Sequence, residues 1–133
     1  QKIRLVAETL SQKRGTCLDL AILQAALWEH VGLCACLILV PGHAFIACWM
    51  RQPDIQGKSV VSLGDSNADA RRLQTALANG ELQLFNSVEV ALDQSLAAAQ
   101  EHGRSIVGEV LSSGKAVHVI DIAACRRSVT PLP

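Results

Sequence analysis

A surplus of charge is missing from this chain: twelve lysines and arginines face twelve aspartates and glutamates in 133 residues, for a formal net charge of zero. Without that surplus, and without a dense Lys/Arg stripe, there is no strong phosphate-neutralising term. A dedicated nucleic-acid binder is not expected. A long hydrophobic run is missing too. The stretch from Val31 to Val40 is about half of what a bilayer-spanning helix requires and contains Gly32, so no membrane segment is expected. The opening QKIRLVAETL has neither the apolar core of a signal peptide nor an initiating methionine, and the chain reads as a piece cut from a longer protein. Internal repeats, low-complexity tracts and linkers rich in Pro, Gly or Ser are lacking, so residues 1–133 read as one domain. The five cysteines, Cys17, Cys34, Cys36, Cys48 and Cys125, are odd in number and lack the density of a disulfide scaffold. A reducing, cytoplasmic compartment is the expectation.

What the chain does have is apolar content. Half of its residues are hydrophobic and only 18% are charged, which excludes an intrinsically disordered chain. A chain of this length buries roughly two-thirds of its unfolded surface without staples.

The first dozen residues, with Ile3, Leu5, Val6 and Leu10, fit an amphipathic helix or an extended lead-in equally well. Thr16 then stands before Cys17, Leu18 and Asp19 in a capping-box pattern, an Ala/Leu-rich helix runs to His30, and Gly32 supplies a stop. Two apolar runs, 34–40 and 43–50, flank Pro41-Gly42 and predict a β-hairpin. A period of two puts His43, Phe45, Ala47 and Trp49 on one face of its second strand, and Ala44, Ile46, Cys48 and Met50 on the other. A strand at 60–63, a surface helix through Leu73 and Leu77, a strand over 81–90, a helix over 91–101 ending near Gly103, and a strand over 116–123 complete the reading. One helix first and mainly antiparallel strands after it predict the α+β class.

The chemistry centres on Cys17. A thiol in the first turn of a helix faces unpaired backbone N–H groups and the positive end of the macrodipole, and both favour the thiolate. Gly15 permits close approach at the helix start, and Thr16 fixes where Cys17 points. His43, at the mouth of the hairpin, is held by strand backbone within reach of a neighbouring helix terminus, the place for a general base.

The stretch RGTCLDLAILQAALWEHVGLCACLILVPGHAFIACW resembles the transglutaminase-like superfamily of papain-type cysteine enzymes, and within it the bacterial intracellular branch of cysteine peptidases. Gly15-Thr16-Cys17 with Asp19 and Ala21, and Pro41-Gly42-His43-Ala44-Phe45, carry the likeness over residues 12–50. The resemblance implies a papain-like core in which a Cys-bearing helix packs on a mainly antiparallel sheet. It implies Cys17 as nucleophile, His43 as base, and an acidic or amide residue on a later strand to orient the imidazole. Two positions compete for that third role. Asn86 in LQLFNS is favoured, although the branch carries an acid there; Asp65 in SLGDSN is the rival. For the oxyanion, the backbone N–H of Cys17 is the natural donor, and Gln12 lies near where papain-type enzymes keep a glutamine.

Other residues carry plainer expectations. Cys34, Cys36, Cys48 and His43 are an outside candidate for a zinc site. His30 and His102 fall near expected helix C-termini, where a dipole suffices to explain them. His118 and Trp28 read as core, and Trp49 as core or as a shield for the base. Arg71-Arg72 and Arg126-Arg127 read as solvated surface charge. The leading expectation is a cysteine peptidase or amidohydrolase acting through a thioester on a peptide or protein substrate, without metal or organic cofactor. Protein cross-linking by an amine acceptor, and an amidase acting on a small or glycan-linked amide, share the triad. The expectation from another class is a catalytically idle binding module inside a larger protein.

Overall fold

A computed structural model describes residues 3–52 and 58–130. Its elements are α1 (Val6–Gln12), α2 (Cys17–His30), β1 (Cys34–Val40), β2 (His43–Trp49), β3 (Val60–Ser62), α3 (Ala68–Ala78), β4 (Leu82–Phe85), α4 (Ser87–Ala91), α5 (Leu96–Ser112), β5 (His118–Asp121) and α6 (Ile122–Cys125). The architecture is mixed α+β: the strands form one five-stranded sheet in the order β3-β5-β1-β2-β4. Every neighbouring pair is antiparallel.

The hairpin β1–β2 is the middle of this sheet. Its two-residue turn closes on the pair Val40 and His43, with Gly42 at a φ of 74° that a side chain would resist. The alternation expected for β2 holds. Phe45, Ala47 and Trp49 join Cys36, Ile38, Leu82 and Leu84 in one core, whereas Ile46 and Cys48 join Ala35 and Phe85 in another. Helix α2 covers the second face through Ala21 and Ala25, both buried, and small side chains let its backbone lie close to the strands. Helices α3 and α5 cover the first face with Leu73, Ala76 and Val107.

The capping box expected at Thr16 is formed reciprocally. The Asp19 N–H donates to Thr16 Oγ1 (3.3 Å) and the Thr16 N–H donates to Asp19 Oδ2 (2.8 Å). At the other end, Gly32 takes a φ of 88°, and the Leu33 N–H returns to the Trp28 carbonyl at 2.9 Å, ending the helix in a Schellman-type turn.

Three boundaries differ from the sequence reading. The strand expected over 81–90 stops at Phe85, because Asn86 begins α4 with Glu89 at its third position, an Asn-x-x-Glu start that Val88 and Val90 masked. The helix expected to end near Gly103 is α5, which runs through Gly103 and Gly108 to Ser112. Gly103 is there for space: a β-carbon on it would lie 3.1 Å from Leu84 Cβ and 3.4 Å from the Leu84 carbonyl carbon. The strand expected over 116–123 ends at Asp121, whose carboxylate caps α6 by accepting from the Ala124 N–H at 3.0 Å. His118 is exposed, a correction to its expected core position, since Val117 and Val119 take the buried positions on either side. The ambiguous first segment is helical as α1. Among the described residues, no helix is long and apolar enough to cross a membrane.

Candidate active site

Helix α2 has 14 residues, a rise of roughly 21 Å at about 1.5 Å each. Strand β1 follows a tight turn and runs back over seven residues, roughly 23 Å at about 3.3 Å each. The N-terminus of α2 therefore returns to the end of the sheet where β1 hands over to β2. Cys17 opens the helix and His43 opens β2 at that same end, both half-buried.

The first turn of α2 is tied down around Asp19. This carboxylate is buried and accepts from the Arg4 N–H (2.9 Å), Arg4 Nη1 (3.0 Å) and the Thr16 N–H (2.8 Å). The hydrogen bonds from the Arg4 and Thr16 backbones, helped by the Arg4 guanidinium, hold its carboxyl well below the ordinary range against the opposing effect of burial. Gly15 fits the close approach expected of it, since a β-carbon there would sit 3.2 Å from Thr9 Cγ2 of α1.

His43 is fixed from two sides. Its ring stacks on Phe45 with centroids 5.6 Å apart and planes 29° apart, and its Nε2 lies 2.8 Å from Asn86 Oδ1. An amide oxygen only accepts, so Nε2 carries the proton of that bond and Nδ1 of the neutral ring keeps the lone pair. Asn86 is itself buried, and its backbone N–H donates to the Ala99 carbonyl of α5 at 3.0 Å. Its side chain caps no helix N–H because it is used elsewhere: Nδ2 lies 3.0 Å from His102 Nδ1. His102 Nδ1 also contacts Glu89 Oε1, and Glu89 accepts a hydrogen bond from Asn86. Burial raises the Glu89 carboxyl, but the bonds from His102 and Asn86 outweigh it and hold the group below its ordinary value.

The structure thus brings His43 and Asn86 together and adds two residues that sequence reasoning missed. Phe45, expected on the His43 face, stacks on the ring. Glu89 was placed in a strand, and His102 was assigned to a helix terminus, whereas it stands inside α5. The Asn-x-x-Glu spacing was the available signal for Glu89. Cys17 shares the end of the sheet with this group, and among the described residues no hydrogen bond joins its sulfur to the imidazole. By alternation the ring follows the Phe45 face, whereas α2 packs on the Ile46 face.

Asp65 does not reach His43. Its carboxylate accepts from Asn67 Nδ2 (3.3 Å) in the turn after β3, and β3 and β2 lie at opposite sides of β5 and β1 in the sheet. Gln12 is the exposed last residue of α1. The zinc arrangement does not assemble, since Cys34 and Cys36 line one face of the sheet and Cys48 the other. Burial pushes the Cys36 and Cys48 thiols up, as expected of packed cysteines. Trp49 shares the His43 face but stands six residues away, roughly 20 Å along the strand at about 3.3 Å each. It cannot shield the ring; it lines a cavity of about 560 Å3 with Arg51, Arg72 and Glu81. Arg126 is more than solvated charge: it grips Glu29 of α2 through Nε (3.0 Å) and Nη2 (2.8 Å).

No protein-family model, no curated protein and no solved structure matches the chain.

Proposed function

We propose that the chain is a cysteine-dependent acyl-transfer enzyme of the transglutaminase-like type, with a papain-like core and a Cys17-His43-Asn86 triad. The observation that carries this reading is the 2.8 Å contact between His43 Nε2 and Asn86 Oδ1, at the end of the sheet where a doubly capped helix begins with Cys17. An amide oxygen on Nε2 leaves Nδ1 to take the thiol proton. The thiolate then attacks the carbonyl carbon of an amide or peptide, and the backbone N–H of Cys17 donates to the developing oxyanion. As the tetrahedral intermediate collapses, the C–N bond breaks, the amine leaves with the proton held by the imidazolium, and a thioester remains. Water, deprotonated by His43, resolves it to a carboxylate and the free thiol. Peptidase or amidohydrolase action on a cytoplasmic peptide or protein is favoured over cross-linking on the likeness to the bacterial peptidase branch. The groups named are all protein groups, so the chemistry calls for no metal or organic cofactor.

A second reading, an idle module that keeps the fold and binds a peptide or neighbouring domain, is favoured by one observation: the sulfur and the ring are not hydrogen-bonded among the described residues. Labelling with iodoacetamide separates the two. The enzyme reading expects fast, pH-dependent modification of Cys17 ahead of the other four cysteines, lost in His43→Ala. Uniform slow labelling of all five, unchanged in His43→Ala, would sink it.

A further inference from the structure

We propose that Glu89 and His102 are a positioning pair that fixes the orientation of the Asn86 amide and, through it, decides which nitrogen of His43 carries the proton. The inference rests on the triad reading for its catalytic meaning, but its geometry stands apart from Cys17.

The Asn86 amide has two chemically opposite ends and is buried. One end faces His43 Nε2 at 2.8 Å; the other faces His102 Nδ1 at 3.0 Å and the Glu89 carboxylate beside it. Glu89 comes from α4, His102 from α5, and the Glu89 side chain is only 13% exposed. Its Oε2 is buried with no hydrogen-bond partner, so the contacts of this carboxylate are those made through Oε1.

The close contact between His102 Nδ1 and Glu89 Oε1 needs a proton between them, and with Glu89 as a carboxylate Nδ1 carries it: His102 Nδ1–H donates to Glu89, and Asn86 Nδ2–H donates to the same carboxylate. The carboxylate presents only acceptors to the amide, so it requires the NH2 on that side and the amide oxygen toward His43. A flipped amide would press Oδ1 against the Glu89 carboxylate and turn NH2 toward Nε2. The ring would then have to accept at Nε2 and carry its proton on Nδ1, where it would face a thiol as donor rather than as base. A carboxylate at position 89 therefore sets the tautomer of a ring it never touches.

The experiment is 15N–1H NMR of the histidine rings in the full chain, at a pH where the His43 ring is neutral. Wild type is expected to show a protonated Nε2 and a bare Nδ1. In the variant carrying Glu89→Leu and His102→Leu, the Nε2 resonance is expected to move toward the unprotonated position as the amide is freed. Adding Asn86→Asp, which has no amide to flip, is expected to restore the wild-type tautomer. A folded double variant with an unchanged His43 tautomer would overturn the proposal. Should that variant not fold, wild type alone decides: cross-peaks from the Asn86 NH2 protons to His102 support the pair, and cross-peaks to the His43 ring overturn it. Iodoacetamide reactivity is scored separately. An inert Cys17 with a responsive tautomer sinks the enzyme and spares the pair, whereas a reactive Cys17 with an indifferent tautomer does the reverse.

Discussion

Replacing Gly103 by alanine sets two effects of known sign against each other, and a second glycine in the same helix separates them. In α5, a Gly→Ala change at an unhindered interior position gains about 0.8–1.0 kcal/mol of helix propensity. Gly108 is such a position, exposed and with nothing within 4 Å of where its β-carbon would stand. At Gly103 the same carbon would meet Leu84 Cβ at 3.1 Å, the Leu84 carbonyl carbon at 3.4 Å and the Phe85 nitrogen at 3.5 Å. Two of these neighbours are backbone in a strand hydrogen-bonded to β2, so they cannot swing away. Overpacking of this kind costs about 1–3 kcal/mol. Gly108→Ala is therefore expected to stabilise by about 1 kcal/mol, and Gly103→Ala to fall between neutral and about 2 kcal/mol destabilising. With urea slopes of about 1–3 kcal/mol per molar, the two midpoints should separate by on the order of 1 M. Equal upward shifts in both variants would refute the close approach of α5 to β4. Because Ala99 and His102 lie within the turn of α5 that precedes Gly103, a displaced helix should also loosen the Asn86 contacts, readable as lost protection of the Asn86 amide from exchange.

Thr16→Ala removes the side-chain half of the cap on α2 and is expected to lower stability by about 1 kcal/mol in urea unfolding, with Thr16→Ser close to wild type. Asp19 has a folded carboxyl held below its ordinary value of 3.8. The stability it contributes is therefore complete above that pH and drains as pH falls beneath it toward the folded value. Acid titration of the thermal midpoint should show this loss in wild type and a flatter profile in Asp19→Asn; parallel profiles would contradict it. The Arg126–Glu29 pair, half exposed on the arginine side, should give a coupling of less than about 1 kcal/mol in a double-mutant cycle, smaller still at high salt.

The parts of the molecule legible in the sequence are those settled by local chemistry. Thr16 and Asp19 three residues apart, an apolar hairpin around Pro41-Gly42 and a glycine past His30 fix α2, β1 and β2 with little help from distant packing. Asn86 was named through a resemblance, and the structure sets its Oδ1 2.8 Å from His43 Nε2. What was not legible depends on contacts across the chain. Gly103 looks like a helix stop until Leu84 is seen beneath it, and the misplaced boundary hid His102. Val88 and Val90 favour a strand on propensity alone, but pairing ends at Phe85 opposite Ile46, although β2 runs on to His43, because the chain turns at Asn86 into α4. His118 sits among valines yet faces outward, because alternation, not average hydropathy, decides its side.

Position in the sheet has one more consequence. Helix α2 and the β1–β2 hairpin are contiguous in the chain and the hairpin lies inside the sheet, whereas β4, from which Asn86 emerges, is an outermost strand of four residues with β2 as its one strand neighbour among the described residues. The imidazole and the thiol therefore belong to a unit that can assemble from neighbouring stretches of polypeptide, and the amide that steers the ring is delivered from the rim. Fraying at that rim would silence the ring's orientation while leaving the rest of the molecule intact. The long helix lying across β4 at Gly103 is the strap that holds this rim in place.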